Sequence, residues 1–295
     1  MKTHELKTKE YKSFYKDVAG NEGGKCHYST RLDTYGCGCQ HNCAYCYARF
    51  LLEFRNLWNP ANPSVADINK IRRKIKKLPP GMPAIRLGGM TDCFQPIEMT
   101  ERVTYHTIQA LNEADQPYLI VTKGDIVAND EYIDVMRKDL AHIQTTVTCF
   151  DDGLYKDLAY EGAPLPSRRI AAIEKLYKEG FDVQVRLSPL IPEFVDYERL
   201  ADIQCDKLLV EFLRVNGRIA KQFDVDFTAY TVKQSGYRHL PLDIKKELLQ
   251  NIHGYKEITV CEDEDEAYEY WKNHFNPNPN DCCNLSVPSG CANIT

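Results

Sequence analysis

Short apolar segments alternate with amphipathic segments along most of this chain, and that alternation constrains the fold more than any other feature. Three segments carry apolar residues at helical spacing, at 100–115, 129–142 and 166–180. Around them, runs rich in Val, Ile, Leu and Thr have the composition of strands, at 29–35, 84–89, 117–123, 143–150, 182–191 and 207–215. Strands that alternate with helices form a parallel sheet covered by helices. The sequence therefore predicts an α/β fold.

The number of strand–helix units limits the architecture. Six units are too few for a closed eight-stranded barrel, but they fit a partial, open (β/α)6 barrel or a doubly wound sheet. Both architectures bind ligands at the carboxyl ends of their strands. We divide the chain into an N-terminal leader (1–28), a barrel core (29–215) and a C-terminal cap region (216–295). Within the cap we predict a helix, a strand and a helix, at 242–254, 257–263 and 265–275.

The cysteine content is high for a chain that shows no export signal. No apolar run approaches the roughly 18–20 residues that span a bilayer, and the first 17 residues lack the apolar region of a secretory signal. We therefore expect a cytoplasmic protein without a membrane partner, whose twelve cysteines stay reduced. Clustered thiols in such a protein are metal ligands or catalytic groups. The isolated Cys26, Cys149 and Cys205 are expected to be small buried apolar residues.

Charge is unevenly distributed along the chain, although the net charge is −5. Segment 69–77 is strongly basic and segment 261–269 is strongly acidic. A protein that holds nucleic acid through phosphate contacts alone is usually basic, so the net charge argues against that mode of binding. The basic run is either a solvated helix face or a patch that contacts phosphates.

The segment TYGCGCQHNCAYCYARF, residues 34–50, directly follows the first predicted strand. Its C-x3-C-x2-C spacing lets Cys39, Cys43 and Cys46 bind three corners of one 4Fe–4S cube, and the fourth iron keeps no protein ligand. An open position is typical of catalytic metal sites, because substrate binds there. The alternative is a zinc site with Cys37 as fourth ligand. Structural zinc sites, however, usually pair two knuckles a dozen or more residues apart.

These three cysteines, with the aromatic Tyr45 before the last of them, resemble the signature of radical S-adenosylmethionine (SAM) enzymes. The resemblance implies the partial barrel of that superfamily, a 4Fe–4S cluster and S-adenosyl-L-methionine bound at the open iron. It also implies a reductant such as flavodoxin or ferredoxin, whose electron cleaves SAM to a 5′-deoxyadenosyl radical that takes hydrogen from a substrate. On this interpretation Cys37 is not a ligand but a small residue in a Gly-Cys-Gly turn, and the alternative is a thiol near the radical.

The resemblance also points to cofactor-binding residues where the predicted strands end. Related enzymes present a glycine-rich backbone to the amino group of SAM at the place of RLGGMTD, residues 86–92. An ammonium at the end of the next strand can pair with the cofactor's carboxylate. The predicted cofactor-binding residues are Tyr45, Gly88, Gly89, Thr91, Lys123, Thr146, Thr148, Arg186 and Ser188. For Arg186 the alternative is a structural ion pair.

Within the superfamily, roughly residues 30–215 resemble the spore photoproduct lyase-like subgroup. The resemblance rests on four stretches, CGCQHNCAYCYARF, TDCFQPIE, VTKGDIVANDE and GAPLPSRRIAAIEKLYKEGFDVQVRLSPLIP. In the lyase, a cysteine close before the hydroxyl residue that Thr91 would match returns hydrogen to a thymine radical. This chain has glycines there, and Cys93 lies just after Thr91. Cys93 is therefore the candidate catalytic hydrogen donor, and the alternative is a different reaction.

The C-terminal region contains a second group of thiols. Auxiliary iron–sulfur ligands are one interpretation and reduced thiols in the cap are the other, for Cys261, Cys282, Cys283 and Cys291. Adjacent residues such as Cys282 and Cys283 point in different directions, which makes a shared metal awkward for them.

The substrate expected from the resemblance is a nucleobase in DNA, in RNA or in a nucleotide. The aromatic residues of the cap agree with this expectation, because aromatic side chains stack on bases. One alternative is a radical SAM enzyme that modifies a peptide or a small metabolite and uses the auxiliary site. The other is a non-enzymatic iron–sulfur or zinc protein.

Overall fold

The computed structural model describes residues 13–15, 24–157, 162–222 and 225–285. Most of the predicted leader and the tail with Cys291 therefore lie outside the described residues. The strands are β1 (Phe14–Tyr15), β2 (Arg31–Leu32), β3 (Tyr35–Gly36), β4 (Ser64–Val65), β5 (Ile85–Leu87), β6 (Tyr118–Thr122), β7 (Ala141–Thr146), β8 (Asp182–Leu190), β9 (Lys207–Phe212), β10 (Val232–Gln234), β11 (Tyr237–His239) and β12 (Glu257–Val260).

The helices are short, and most of them connect consecutive strands of the sheet. They are α1 (Tyr47–Phe54), α2 (Ile68–Ile75), α3 (Glu98–Glu101), α4 (Val103–Glu113), α5 (Asp130–Val135), α6 (Asp152–Asp157), α7 (Pro166–Lys178), α8 (Tyr197–Ala201), α9 (Ile219–Gln222), α10 (Leu242–Gln250) and α11 (Asp265–His274). Two 3-10 helices cover Asp125–Ala128 and Pro192–Phe194. None of the described helices is long and apolar enough to cross a membrane.

Eight strands form one sheet, in the order β1-β2-β5-β6-β7-β8-β9-β12. Seven of them are parallel, and β1 is the antiparallel strand at one edge. Within the described residues β1 and β12 do not pair with each other, so the sheet stays open. This confirms the predicted α/β fold with an open, partial barrel.

The seventh parallel strand, β12, comes from the segment assigned from sequence to the cap. It pairs with β9, and Thr259 lies opposite Leu209. The sheet therefore contains one parallel strand more than the six that the sequence predicts for the barrel. A short apolar run predicts a strand, but it does not predict which distant strand it pairs with.

The segment between α5 and β7 differs from its prediction. A helix was expected over 129–142, but α5 ends at Val135, and Met136 has an extended backbone with φ −72° and ψ 133°. The strand begins early because Ala141 and His142 pair with β6, and it ends at Thr146. Residues 141 and 142 therefore form a strand, although the spacing of apolar residues in this segment predicts a helix.

The core lies between the sheet and its helices. The side chains of Leu87, Ile120, Ile143, Val185 and Val210, on five neighbouring strands, are almost completely buried. Burying one such side chain contributes about 1.5–3 kcal/mol to folding. This core fixes the strand ends relative to one another, and the candidate site lies at those ends.

Candidate active site

A cavity at the carboxyl ends of the parallel strands contains most of the predicted site residues. Parallel strands end at the same edge of a sheet, so residues far apart in sequence meet there. The predicted residues that line the cavity are Cys39, Cys43, Tyr45, Cys46, Gly88, Gly89, Thr91, Lys123, Thr146, Arg186 and Ser188.

Two predicted residues do not line this cavity. Thr148 follows the end of β7, and its side chain is buried. Cys93 is 1% exposed and belongs to the hydrophobic core, and its backbone carbonyl accepts a hydrogen bond from the Thr104 hydroxyl at 2.7 Å. The hydrogen-donor role of Cys93 stays a prediction, which the position of this thiol does not favour.

The cysteine loop begins with a tight turn. Cys37 has a left-handed backbone with φ 52°, and its carbonyl accepts a hydrogen bond from the Asn59 amide at 2.7 Å. At the next residue, Gly38, a Cβ atom would lie 2.1 Å from the Asn59 carbonyl oxygen, so a side chain does not fit. Cys37 therefore lies in a Gly-Cys-Gly turn, outside the cavity lining.

The three following cysteines present their thiols to the cavity. Cys39 and Cys43 are buried, and Cys46 is half-buried at the N-cap of α1. The Cys46 sulfur accepts a hydrogen bond from the Arg49 amide at 3.4 Å, which favours the thiolate, but burial and the neighbouring Cys43 outweigh it and raise the pKa of Cys46 above its ordinary value. Burial, with a smaller contribution from Asp92, raises the pKa of Cys39 well above its ordinary value, so metal binding there releases a proton.

The spacing of these thiols fits a cluster better than a single ion. Among the described residues, only the donor atoms of His239, Glu262 and Asp263 form a group of three that all lie within 4.8 Å of one another. The sulfurs of Cys39, Cys43 and Cys46 therefore include at least one pair more than 4.8 Å apart. One tetrahedral zinc ion needs its thiolates about 3.8 Å apart. A 4Fe–4S cube holds its thiolates further apart than a single ion does. The cavity-lining thiols therefore fit the group that the resemblance implies.

Asp33 shapes the glycine-rich loop at residues 88–91. Its buried carboxylate accepts hydrogen bonds from the amides of Gly89 at 2.6 Å and Met90 at 3.1 Å. Gly88 has φ +85°, and a Cβ atom there would lie 2.7 Å from the Val121 carbonyl oxygen. Glycine is required at this position, and the loop is held at the cavity wall.

Asp92 joins the ends of β5 and β6. Its carboxylate accepts hydrogen bonds from the Thr122 hydroxyl at 2.6 Å and the Lys123 amide at 2.7 Å, and His41 Nε2 lies 3.4 Å from it. Burial raises the pKa of Asp92, but His41 and the two hydrogen-bond donors outweigh burial and hold that pKa below its ordinary value. With its backbone fixed, Lys123 places its ammonium 5.4 Å from the centre of the Tyr45 ring.

A buried ion network lies where β8 and β9 end. Glu211 accepts hydrogen bonds from Arg186 at 2.5 Å and from the Ser188 hydroxyl at 2.7 Å, and Arg214 lies 3.7 Å away. Burial raises the pKa of Glu211, but the two guanidinium groups outweigh it and lower that pKa to about 2. Arg186 thus forms the ion pair considered as its alternative, and its contact with the cofactor stays a prediction.

Several lining residues were missed by sequence reasoning, namely His41, Arg86, Glu211 and Arg214. Cys261, which directly follows β12, was predicted as a member of the second group of thiols, and it also lines this cavity. A signal existed for Glu211, which interrupts the apolar run of β9. Single charged residues at strand ends are common, however, and their partners come from other strands.

An open parallel barrel with three clustered thiols at its carboxyl rim defines the class of iron–sulfur enzymes that act on SAM. The sequence profile of the Radical SAM superfamily matches residues 34–204. The chain belongs to this superfamily. An uncharacterized protein of Methanocaldococcus jannaschii is 28% identical over 167 residues, which cover 55% of this chain and 60% of that relative. The matched region thus spans about three-fifths of the relative's length.

Solved structures of spore photoproduct lyase share the fold. One, complexed with dinucleoside spore photoproduct, superposes with a TM-score of 0.59 and 16% identity over 79% of this chain and 76% of that chain. Another, with bound AdoMet and dinucleoside spore photoproduct, has a TM-score of 0.55 and 16% identity over the same shares. The superfamily implies a 4Fe–4S cluster, S-adenosyl-L-methionine and a reductant for this chain.

Proposed function

We propose that this radical SAM enzyme abstracts hydrogen from a nucleobase in DNA, in RNA or in a nucleotide, as a spore photoproduct lyase-like enzyme. The observation that carries the proposal is the meeting of three thiols, a glycine-rich loop and Lys123 in one cavity at the carboxyl rim of the sheet. Thiols, backbone and ammonium are the groups needed to hold an iron–sulfur cluster and an amino-acid cofactor side by side.

Cys39, Cys43 and Cys46 would hold the cluster, which together with SAM supplies a 5′-deoxyadenosyl radical. The loop fixed by Asp33 would receive the amino group of SAM, and the Lys123 ammonium would pair with its carboxylate. The Asp92 carboxylate stabilises this arrangement, because it holds the backbone of Lys123 in place.

The charges on the remaining wall favour a substrate that carries negative charge. Arg86, Arg186 and Arg214 line the cavity together with Glu211, so guanidinium groups outnumber the carboxylate on this wall. Guanidinium groups bind phosphate oxygens well, and a nucleotide or a short stretch of nucleic acid supplies them. This local charge supports a nucleobase-containing substrate although the whole chain is acidic.

We also propose a cytoplasmic location and an electron donor such as flavodoxin or ferredoxin. Thiols that bind an iron–sulfur cluster must stay reduced, and the cytoplasm is a compartment that keeps thiols reduced. A buried cluster in this cavity would receive its electron from such a protein.

The proposal is tested by anaerobic turnover of the reconstituted, reduced enzyme with deuterated oligonucleotides and deuterated nucleotides. We expect SAM cleavage and deuterium in the 5′-deoxyadenosine that is released. Cys43→Ala should abolish cleavage, and Cys37→Ala should retain it, because Cys37 does not line the cavity. Cleavage by the Cys43→Ala protein would contradict the cluster assignment. Deuterium transfer from a peptide, with none from nucleotides, would contradict the substrate class.

A further inference from the structure

A second group of cysteines lies next to the active-site cavity. Cys26, Cys261, Cys282 and Cys283 line one smaller cavity, and Cys261 lines both cavities. The Cys282 thiol is within hydrogen-bonding distance of the thiols of Cys261 and Cys283. Cys26 lies close enough to Cys261 and Cys283 for an electrostatic interaction with them. None of these four thiols forms a disulfide. They come from the segment before β2, the end of β12 and a C-terminal turn, so their meeting is a property of the whole fold.

Polar contacts hold the two terminal segments together beside these thiols. The Tyr28 hydroxyl donates a hydrogen bond to the Asp281 carboxylate at 2.5 Å, and the same carboxylate accepts one from the Cys283 amide at 3.0 Å. Lys25 forms an ion pair with Asp265 at 2.6 Å. Cys26 and the adjacent pair Cys282–Cys283 are thereby fixed on one cavity, although adjacent residues usually point apart.

Positive charge is available on the wall of the thiol cavity. Its lining includes five cationic side chains and three carboxylates, namely Lys25, Arg86, Arg186, Arg214 and Lys272 against Glu211, Glu262 and Asp263. Four thiolates around an iron–sulfur cluster carry net negative charge, and a buried negative charge needs a compensating partner. The cationic side chains exceed the carboxylates that pair with them, and this excess positive charge provides the partner.

We propose that Cys26, Cys261, Cys282 and Cys283 hold a second iron–sulfur cluster, coordinated by four thiolates, beside the active-site cavity. Soft thiolates select iron–sulfur clusters or zinc. Cys282 contacts both Cys261 and Cys283, but within the described residues no three of these sulfurs all lie within 4.8 Å of one another, so the four are not gathered around one point as a single tetrahedral zinc ion requires.

This ligand set differs from the one predicted from sequence. Cys26 takes the fourth position, and Cys291 lies outside the described residues. The site is independent of the proposed substrate, because it requires only iron, sulfide and the four thiols.

The test removes the first cluster and examines the second alone. In the Cys39→Ala, Cys43→Ala, Cys46→Ala protein, anaerobic reconstitution with iron and sulfide should leave about four irons and four sulfides per chain. Reduction should give an electron paramagnetic resonance signal that does not change when S-adenosyl-L-methionine is added. Adding Cys26→Ala and Cys283→Ala should remove the remaining iron, whereas adding Cys205→Ala, a buried thiol elsewhere, should not.

A second measurement covers the case in which the triple variant fails to fold. The unaltered protein should bind about eight irons, and the Cys26→Ala, Cys283→Ala protein about four, with SAM binding retained at the first cluster. Four irons in both proteins would overturn the proposal. So would one zinc without sulfide in a folded triple variant. Neither result would affect the proposed function, which depends on the first cluster.

Discussion

At the scale of single residues, the candidate site is built from side chains whose backbones are fixed by buried carboxylates. Asp33 holds the amides of the glycine-rich loop, and Asp92 holds the amide of Lys123. The groups proposed to touch the cofactor therefore occupy defined positions before any ligand binds. Such pre-organisation lowers the entropic cost of binding.

Lys123 provides the prediction at this scale. Lys123→Ala should weaken S-adenosyl-L-methionine binding about tenfold or more, because a charge-assisted contact contributes roughly 1.5–3 kcal/mol. Iron content should stay unchanged, since Lys123 is not a thiol ligand. Equilibrium binding of SAM to the reconstituted protein measures the effect, and Lys233→Ala, which changes an exposed side chain on β10, is the matched control. An unchanged dissociation constant would transfer the carboxylate contact to Arg186.

At the scale of elements, the two charged runs have different surroundings. Helix α2, which carries much of the basic run, buries Ile71 and Ile75 and leaves Arg73 exposed. The acidic run is partly neutralised within the molecule, since Glu262, Asp263 and Asp265, three of its six acidic residues, form ion pairs with Lys245, Arg214 and Lys25. The acidic run is thus part of the packing of the C-terminal region.

Helix α2 lies away from the active-site cavity. Arg72 and Lys76 line a different cavity, beside the residues that precede β5 and β6 at the amino ends of the strands. We therefore expect the triple change of Arg72, Arg73 and Lys74 to Glu to leave SAM cleavage and oligonucleotide affinity unchanged. Titrations at several salt concentrations measure the affinity. A loss of salt-dependent binding in this variant would instead identify the helix as a phosphate-contacting patch.

At the scale of the whole molecule, the two ends of the described chain meet beside the sheet. Tyr28 and Asp281 are joined by a buried hydrogen bond although 253 residues separate them in sequence. Strand β12 extends the parallel sheet and brings Cys261 to the same region. The C-terminal region therefore completes the sheet and contributes to both cavities.

Tyr28→Phe tests whether the hydrogen bond between Tyr28 and Asp281 stabilises the protein. The change removes one hydrogen-bond donor from the buried Asp281 carboxylate and should lower the free energy of unfolding by about 1.5–3 kcal/mol. The midpoint of thermal unfolding, followed by circular dichroism, should fall by several degrees. Tyr105→Phe is the control, because it removes a hydroxyl from a half-buried ring that packs on Tyr132 and Arg102. An equal, small change of the unfolding midpoint in both variants would mean that the contact between Tyr28 and Asp281 does not stabilise the protein.

The sequence by itself determined the features that depend on local pattern. The alternation of apolar runs and amphipathic segments predicts the parallel open barrel, since the side-chain period identifies strands and helices. The spacing of Cys39, Cys43 and Cys46, and the position of Gly88 and Lys123 at strand ends, predict residues that the fold brings to one cavity.

Only the tertiary structure decided which distant groups meet. It paired β12 with β9, Arg186 with Glu211 and the segment of Cys26 with that of Cys283. It also buried the side chain of Cys93 in the core, whereas Thr91, two residues earlier, lines the cavity. The physical reason is the same in each case. Periodicity and loop length act over a few residues, whereas these contacts depend on the order of strands in the sheet and on which face each side chain presents.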